Sequence, residues 1–142
     1  DILCSPKQYG ISQSHKHLPE IMAVTGLAFS PAFMPVVGDY YSGMEVTIPL
    51  SVNGLRKEDV SKAMAEYYRG QPLIEVSEST DDSGFIAAGR LSGTNKLEIA
   101  VHGSEDNIIL VATYDNLGKG ASGAAVQNMN IMLGIEETKG LI

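Results

Sequence analysis

His15 and His17 stand two positions apart and Glu20 follows three residues later, all within the stretch SHKHLPEI at 14–21. Near neutral pH an imidazole can both take and give a proton. A carboxylate within reach of one ring can fix its tautomer and orientation, which is the arrangement general acid–base catalysis uses. On an extended segment the two rings share one side and can reach one small ligand. The same trio offers two nitrogens and a carboxylate to a metal ion. A polar helix start with both rings in solvent uses the same residue types again, and those types alone do not separate it from the acid–base reading. Of the remaining candidates, His102 lies on a distant strand segment. Cys4, the one cysteine, has no helix start or tight turn beside it to stabilise a thiolate, so it reads as a small strand residue rather than a nucleophile.

The elements that must hold these residues follow from periodicity and punctuation. A short strand is expected over 2–5, and a helix over 17–25, with Pro19 and Glu20 suited to its first turn and Gly26 to its end. The stretch LAFSPAFMP (27–35) is extended, its prolines pointing to an edge or a bend. Alternation and β-branched residues mark strands over 44–52, 72–76, 96–104 and 106–116, the last two joined by a hairpin at GSED. Helices are expected over 56–70, with Val60 and Met64 on its apolar stripe, and over 118–134, ended by Gly134. A polar loop, SESTDDSG, spans 77–84. Strands that do not alternate strictly with helices imply an α+β fold: a mixed, largely antiparallel sheet with helices packed on one face.

The 142 residues are 44% apolar, which suits one folded domain, and the net charge of −7 with ten scattered Lys and Arg provides no basic track for nucleic acid. No apolar run approaches the length of a membrane span, and a single cysteine fits a reducing, cytoplasmic setting. The absence of an initial Met and the entry directly into a strand suggest a piece of a longer protein. The strands MEVTIPLSV and NIILVATY carry more apolar residues than one layer of helices can cover, so a homo-oligomer through the sheet face is expected. GKGASG (118–123) matches a dinucleotide fingerprint after a strong strand. Only 19 residues follow it, too few for the strand and acidic residue that a dinucleotide fold needs next, so the glycines are expected to serve close packing.

Three segments, YGISQSHKHLPEI (9–21), FSPAFMPVVGDYYSGMEVTIPL (29–50) and ATYDNLGKGASGAAVQNMNIMLG (112–134), together resemble the C-terminal catalytic and dimerisation domain of N-acetyl-gamma-glutamyl-phosphate reductases. The likeness runs from Tyr9 to Ile142 with a weaker stretch over 71–94. It implies a fold similar to the C-terminal domain of glyceraldehyde-3-phosphate dehydrogenase, and an enzyme of arginine biosynthesis that reduces an acyl phosphate to a semialdehyde with NADP as cofactor. It assigns His15 and His17 to acid–base and substrate-binding work, Glu20 to orienting one ring, and Asn116 to the nicotinamide carboxamide, with no metal. Residues 1–142 are then one catalytic-domain fragment whose last helix, 118–134, packs on a Rossmann domain outside it, and which is inactive alone because the cysteine nucleophile is also outside it.

This chain departs from the family pattern in places. Lys16 replaces a more frequent Arg, Ala32 and Phe33 stand where many members have His-Leu, and Ser42 precedes Gly43 where many have Arg. The sister chemistry on an aminoadipyl phosphate in lysine synthesis, a non-enzymatic dimerisation module, and a metal-dependent hydrolase built on His15, His17 and Glu20 are the competing readings.

Overall fold

The computed structural model describes residues 5–77 and 84–142, so residues 2–4 of the strand expected at 2–5, Cys4 among them, and most of the polar loop at 77–84 lie outside the described residues. The chain divides into two compact units, Asp1–Tyr41 and Ser42–Ile142.

In the first unit, β1 (Lys7–Gln8) pairs antiparallel with β2 (Val36–Val37), Lys7 opposite Val37 and Gln8 opposite Val36. The pairing continues one step as the Tyr9 N–H donates to the Pro35 carbonyl at 3.0 Å. Between these strands lies α1 (His17–Thr25), with the limits its sequence predicts. Gly26 ends it in the left-handed region, and its N–H returns to the Met22 carbonyl. That is the αL cap glycine provides without a Cβ penalty. Leu18 is buried.

The second unit is a four-stranded mixed sheet in the order β3-β6-β5-β4, formed by β3 (Met44–Leu50), β4 (Ile74–Ser77), β5 (Leu97–Gly103) and β6 (Ile108–Tyr114). β6 runs antiparallel to both neighbours and β4 parallel to β5, so the expected α+β architecture with a mixed sheet is what the chain adopts. The strands are a few residues shorter than their apolar patterns because turn geometry closes first. At the β5–β6 hairpin the Ser104 N–H already donates to the Asn107 carbonyl. The core sits on the two central strands, where Ile99, Ala100, Val101, Ile108 and Val111 are all buried.

The helix α2 (Lys57–Tyr67) lies against β5 and β4. It half-buries the stripe Val60, Ser61, Met64 and Tyr68, which recurs at helical spacing. It leaves β3 uncovered, and Met44, Val46 and Ile48, which alternate onto one face of that edge strand, are 38%, 37% and 46% exposed. After β6 the chain makes a π-helical turn, Gly118–Ser122, before α3 (Gly123–Met132), where one continuous helix over 118–134 was expected. Asn130, buried in α3, donates to the carbonyls of Glu137 and Lys139 and so fastens the C-terminal turn. Gln127 accepts from the Lys119 ammonium and donates to Glu137. No described helix is long and apolar enough to cross a membrane.

Candidate active site

In the first unit the two histidines come together at the start of α1. Their ring centroids are 4.7 Å apart and set edge to face. The Phe33 ring lies 5.0 Å from His15 and 6.2 Å from His17, and the Tyr9 ring 5.8 Å from His15. Phe33 belongs to the irregular stretch 27–35, and Gln13 holds it there. The Gln13 amide donates to the Phe33 carbonyl at 2.7 Å and accepts from the Phe33 N–H at 2.9 Å, the two bonds a strand neighbour would supply. Gln13 itself has φ 54, the left-handed end of a turn in which its N–H returns to the Gly10 carbonyl.

The first backbone N–H groups of a helix have no partner inside it. Here the N–H of His17 donates to the His15 Nδ1 at 3.2 Å. A neutral imidazole whose Nδ1 accepts carries its proton on Nε2, so His15 presents a donor at its other edge. His17 is exposed, and neither of its ring nitrogens has a hydrogen-bond partner among the described residues. Glu20 is exposed in the first turn of α1, and among the described residues no hydrogen bond or ion pair joins it to either ring. The orientation expected of its carboxylate comes instead from the helix backbone. No three described His, Cys, Asp or Glu side chains gather as a metal ion would require.

In the second unit Asn116 stands two residues past the end of β6 and is half-buried. Its Oδ1 accepts from the Gly43 N–H at 2.8 Å. Its neighbour Asp115, 3% exposed, gathers four donors. The N–H groups of Leu117 and Gly118 bind Oδ1 at 2.7 and 2.9 Å, and the Gly93 N–H and the Ser42 hydroxyl bind Oδ2. The bonds from Gly118 and Gly93 above all hold this carboxyl below the usual carboxylate range, against the effect of burial. Burial lowers the Lys119 ammonium, while Glu137 opposes that shift.

The glycines of GKGASG have packing reasons. A Cβ on Gly118 would stand 2.7 Å from the Thr94 carbonyl oxygen, and one on Gly120 3.0 Å from the Tyr114 ring. At Gly123 the Asn95 side-chain oxygen occupies the space itself. The segment lets loop 93–95 approach the helix, as its small residues suggest. Gln13, Phe33, Ser42 and Asp115 escaped assignment from sequence. Phe33 and Ser42 stood out only as departures from a family pattern, and Asp115 only as part of the motif that carries Asn116.

Residues 3–116 match the family described as "Semialdehyde dehydrogenase, dimerisation domain". The chain belongs to that family. Among its relatives, the chain is 44% identical over 144 aligned residues to N-acetyl-gamma-glutamyl-phosphate reductase 2 of Nostoc sp., an alignment that takes in 94% of this chain and 45% of the Nostoc protein. It is 38% identical to N-acetyl-gamma-glutamyl-phosphate reductase of Burkholderia ambifaria and 41% identical to that of Brucella anthropi, with 89% of this chain and 43% of each relative aligned. The chain thus spans less than half the length of the curated relatives it matches. The semialdehyde dehydrogenase match closes at Asn116, so the π-helical turn and α3 lie beyond it.

Proposed function

We propose that this chain is the C-terminal catalytic and dimerisation portion of a cytoplasmic, NADP-dependent reductase that converts N-acetyl-gamma-glutamyl phosphate to N-acetylglutamate semialdehyde in arginine biosynthesis. One observation carries the reading: on a chain 38–44% identical to named reductases, two imidazoles meet, one ring fixed by the backbone and the other with no hydrogen-bond partner at either nitrogen among the described residues.

His17, whose ring nitrogens meet no hydrogen-bond partner among the described residues, is the acid–base group. As the family resemblance implies, it takes the proton of a cysteine thiol supplied by the rest of the protein, whose thiolate displaces phosphate. It protonates the oxygen once hydride has added to the thioester, and takes that proton back as the C–S bond breaks and the aldehyde carbonyl re-forms. His15, with its Nε2–H fixed, donates a hydrogen bond to a substrate oxygen. Glu20 stabilises the start of α1 by placing negative charge in its first turn. When bound, NADPH supplies the hydride. Asn116 fits that cofactor, because its Nδ2, without an acceptor among the described residues, suits a carboxamide oxygen. The helix α3 exposes Met129, Ile131 and Met132, followed by Leu133, and these residues form the face that packs on a nucleotide-binding domain.

The competing substrate is an aminoadipyl phosphate, one methylene longer. An extra or missing methylene is worth about 10–200-fold in discrimination. In the reverse direction, the full-length protein should oxidise N-acetylglutamate semialdehyde with kcat/KM at least tenfold above its aminoadipate homologue. Equal or inverted preference would reassign the substrate.

The uncovered β3 face of Met44, Val46 and Ile48 is the surface through which two copies join. Light scattering of the full-length protein at tens of micromolar, on the order of a moderate interface's Kd, should show an oligomer that Val46→Asp with Ile48→Asp dissociates. An unchanged oligomer in the double variant would place the interface elsewhere.

A further inference from the structure

We propose that Asp115 is a positioning residue that holds Asn116 as a one-way hydrogen-bond donor toward the carbonyl oxygen of a nicotinamide carboxamide. This inference rests on the cofactor role proposed above for Asn116. An amide side chain can present either its oxygen or its nitrogen, but the Gly43 N–H can only donate. The bond between that N–H and Asn116 therefore places Oδ1 on Gly43 and turns Nδ2 the other way. Among the described residues Nδ2 meets no acceptor. Asn116 thus offers an incoming group an N–H and nothing else.

What keeps the two partners in register is the pair of residues beside them. β3 and β6 are paired as far as Met44 opposite Tyr114. Beyond that pair the backbone register stops, and two side-chain bonds cross over it: the Gly43 N–H donates to Asn116, and the Ser42 hydroxyl donates to the Asp115 carboxylate at 3.2 Å. Side-chain bonds thus tie the start of β3 to the segment after β6 where backbone pairing has stopped. Ser42 is buried, and its oxygen also meets the Ser92 hydroxyl. With its single proton given to Asp115, Ser42 must accept from Ser92. Asp115 further collects the N–H groups of Gly93, Leu117 and Gly118, so loop 91–95, the start of β3 and the π-helical turn converge on one buried carboxylate. Both carboxylate oxygens face two donors each, so an amide at this position would turn its nitrogen toward donors and loosen the clamp. The predicted consequence is selective. A ligand that presents a good acceptor to Asn116 loses affinity, and a ligand lacking that group does not.

The test uses calorimetric titration of the full-length protein with three probes: NADP+, its thionicotinamide analogue, and adenosine 2′,5′-bisphosphate. Sulfur is a poorer acceptor than oxygen, and the third probe has no nicotinamide. The unsubstituted protein should prefer NADP+ over the thio analogue by about tenfold, the scale of one hydrogen bond. Asn116→Ala and Asp115→Asn should each bring that ratio near one while leaving adenosine 2′,5′-bisphosphate binding unchanged. A preserved ratio in Asn116→Ala would overturn the cofactor role of Asn116 itself, and with it the basis of this inference. A ratio lost in Asn116→Ala but preserved in Asp115→Asn would overturn the positioning role alone. Should Asp115→Asn fail to fold by circular dichroism, Ser42→Ala decides: a narrowed ratio supports the role, and an unchanged one refutes it.

Discussion

Replacing His17 by Asn in the full-length protein should lower kcat by about 100-fold or more, the usual scale of lost general acid–base catalysis. The reason lies in how the helix start divides the two rings. His15 has its Nδ1 occupied by the His17 N–H, so its neutral form is held as the Nε2–H tautomer and its useful edge is a donor. His17 meets no such constraint among the described residues and can move a proton at either nitrogen. His15→Asn should therefore raise KM more than it lowers kcat, the signature of lost substrate binding. Glu20→Gln should leave both parameters within about twofold, because its carboxylate bonds neither ring and first-turn charge is worth only a few tenths of a kcal/mol to the helix. Steady-state kinetics on the three variants reads all of this. A kcat loss in His15→Asn larger than that in His17→Asn would exchange the two roles.

Gly43→Ala is expected to damage the fold far more than one added methyl would suggest. Gly43 has φ 120, where an L side chain is strained, and a new Cβ would collide with Ala88's carbonyl oxygen. That atom is backbone and cannot rotate away. Strain and overpacking each cost about 1–3 kcal/mol, so a total of roughly 3 kcal/mol or more is expected. The Gly43 N–H would also be pulled from Asn116. Gly26 provides the control. It too has positive φ, at 71, but a Cβ there meets nothing within 4 Å. Gly26→Ala should cost only about 1 kcal/mol, the left-handed penalty alone. Denaturant unfolding of the two variants side by side checks the difference. Equal midpoints would show that the 88–89 loop can yield.

The parts of the fold visible in the sequence are those that local chemistry decides. Helix α1 begins at His17 and is capped by Gly26 because first-turn and cap residues are local signals, and the alternation in residues 97–103 and the nearly continuous apolar run in 108–114 declare their own strands. The pairing of β4 parallel to β5 has no local signature, since nothing within PLIEV names its neighbour. The helix break at Gly118–Ser122 was equally hidden. It follows from Asp115 capturing the Leu117 and Gly118 N–H groups, and from loop 93–95 pressing on glycines whose spacing reads as a nucleotide motif. Among the candidate residues His15 and His17 stood out by type and Asn116 only through the family resemblance, but the hydrogen bonds that would divide the proposed roles were not legible. They come from backbone groups, which side-chain spacing does not encode. Gln13 is the clearest case: an ordinary polar residue by type, it reaches 20 positions along the chain to Phe33 and sets a ring beside both histidines.

Phosphate dependence tests the central claim most directly. The full-length protein is given N-acetylglutamate semialdehyde and NADP+, with and without inorganic phosphate, and NADPH formation is followed by absorbance. An acyl-phosphate reductase run in reverse consumes aldehyde, phosphate and NADP+ and yields acyl phosphate, NADPH and a proton. The expected result is NADPH formation that requires phosphate, saturates with it, and falls about 100-fold in His17→Asn. NADPH formation at the same rate without phosphate, or at the same rate in His17→Asn, would contradict it.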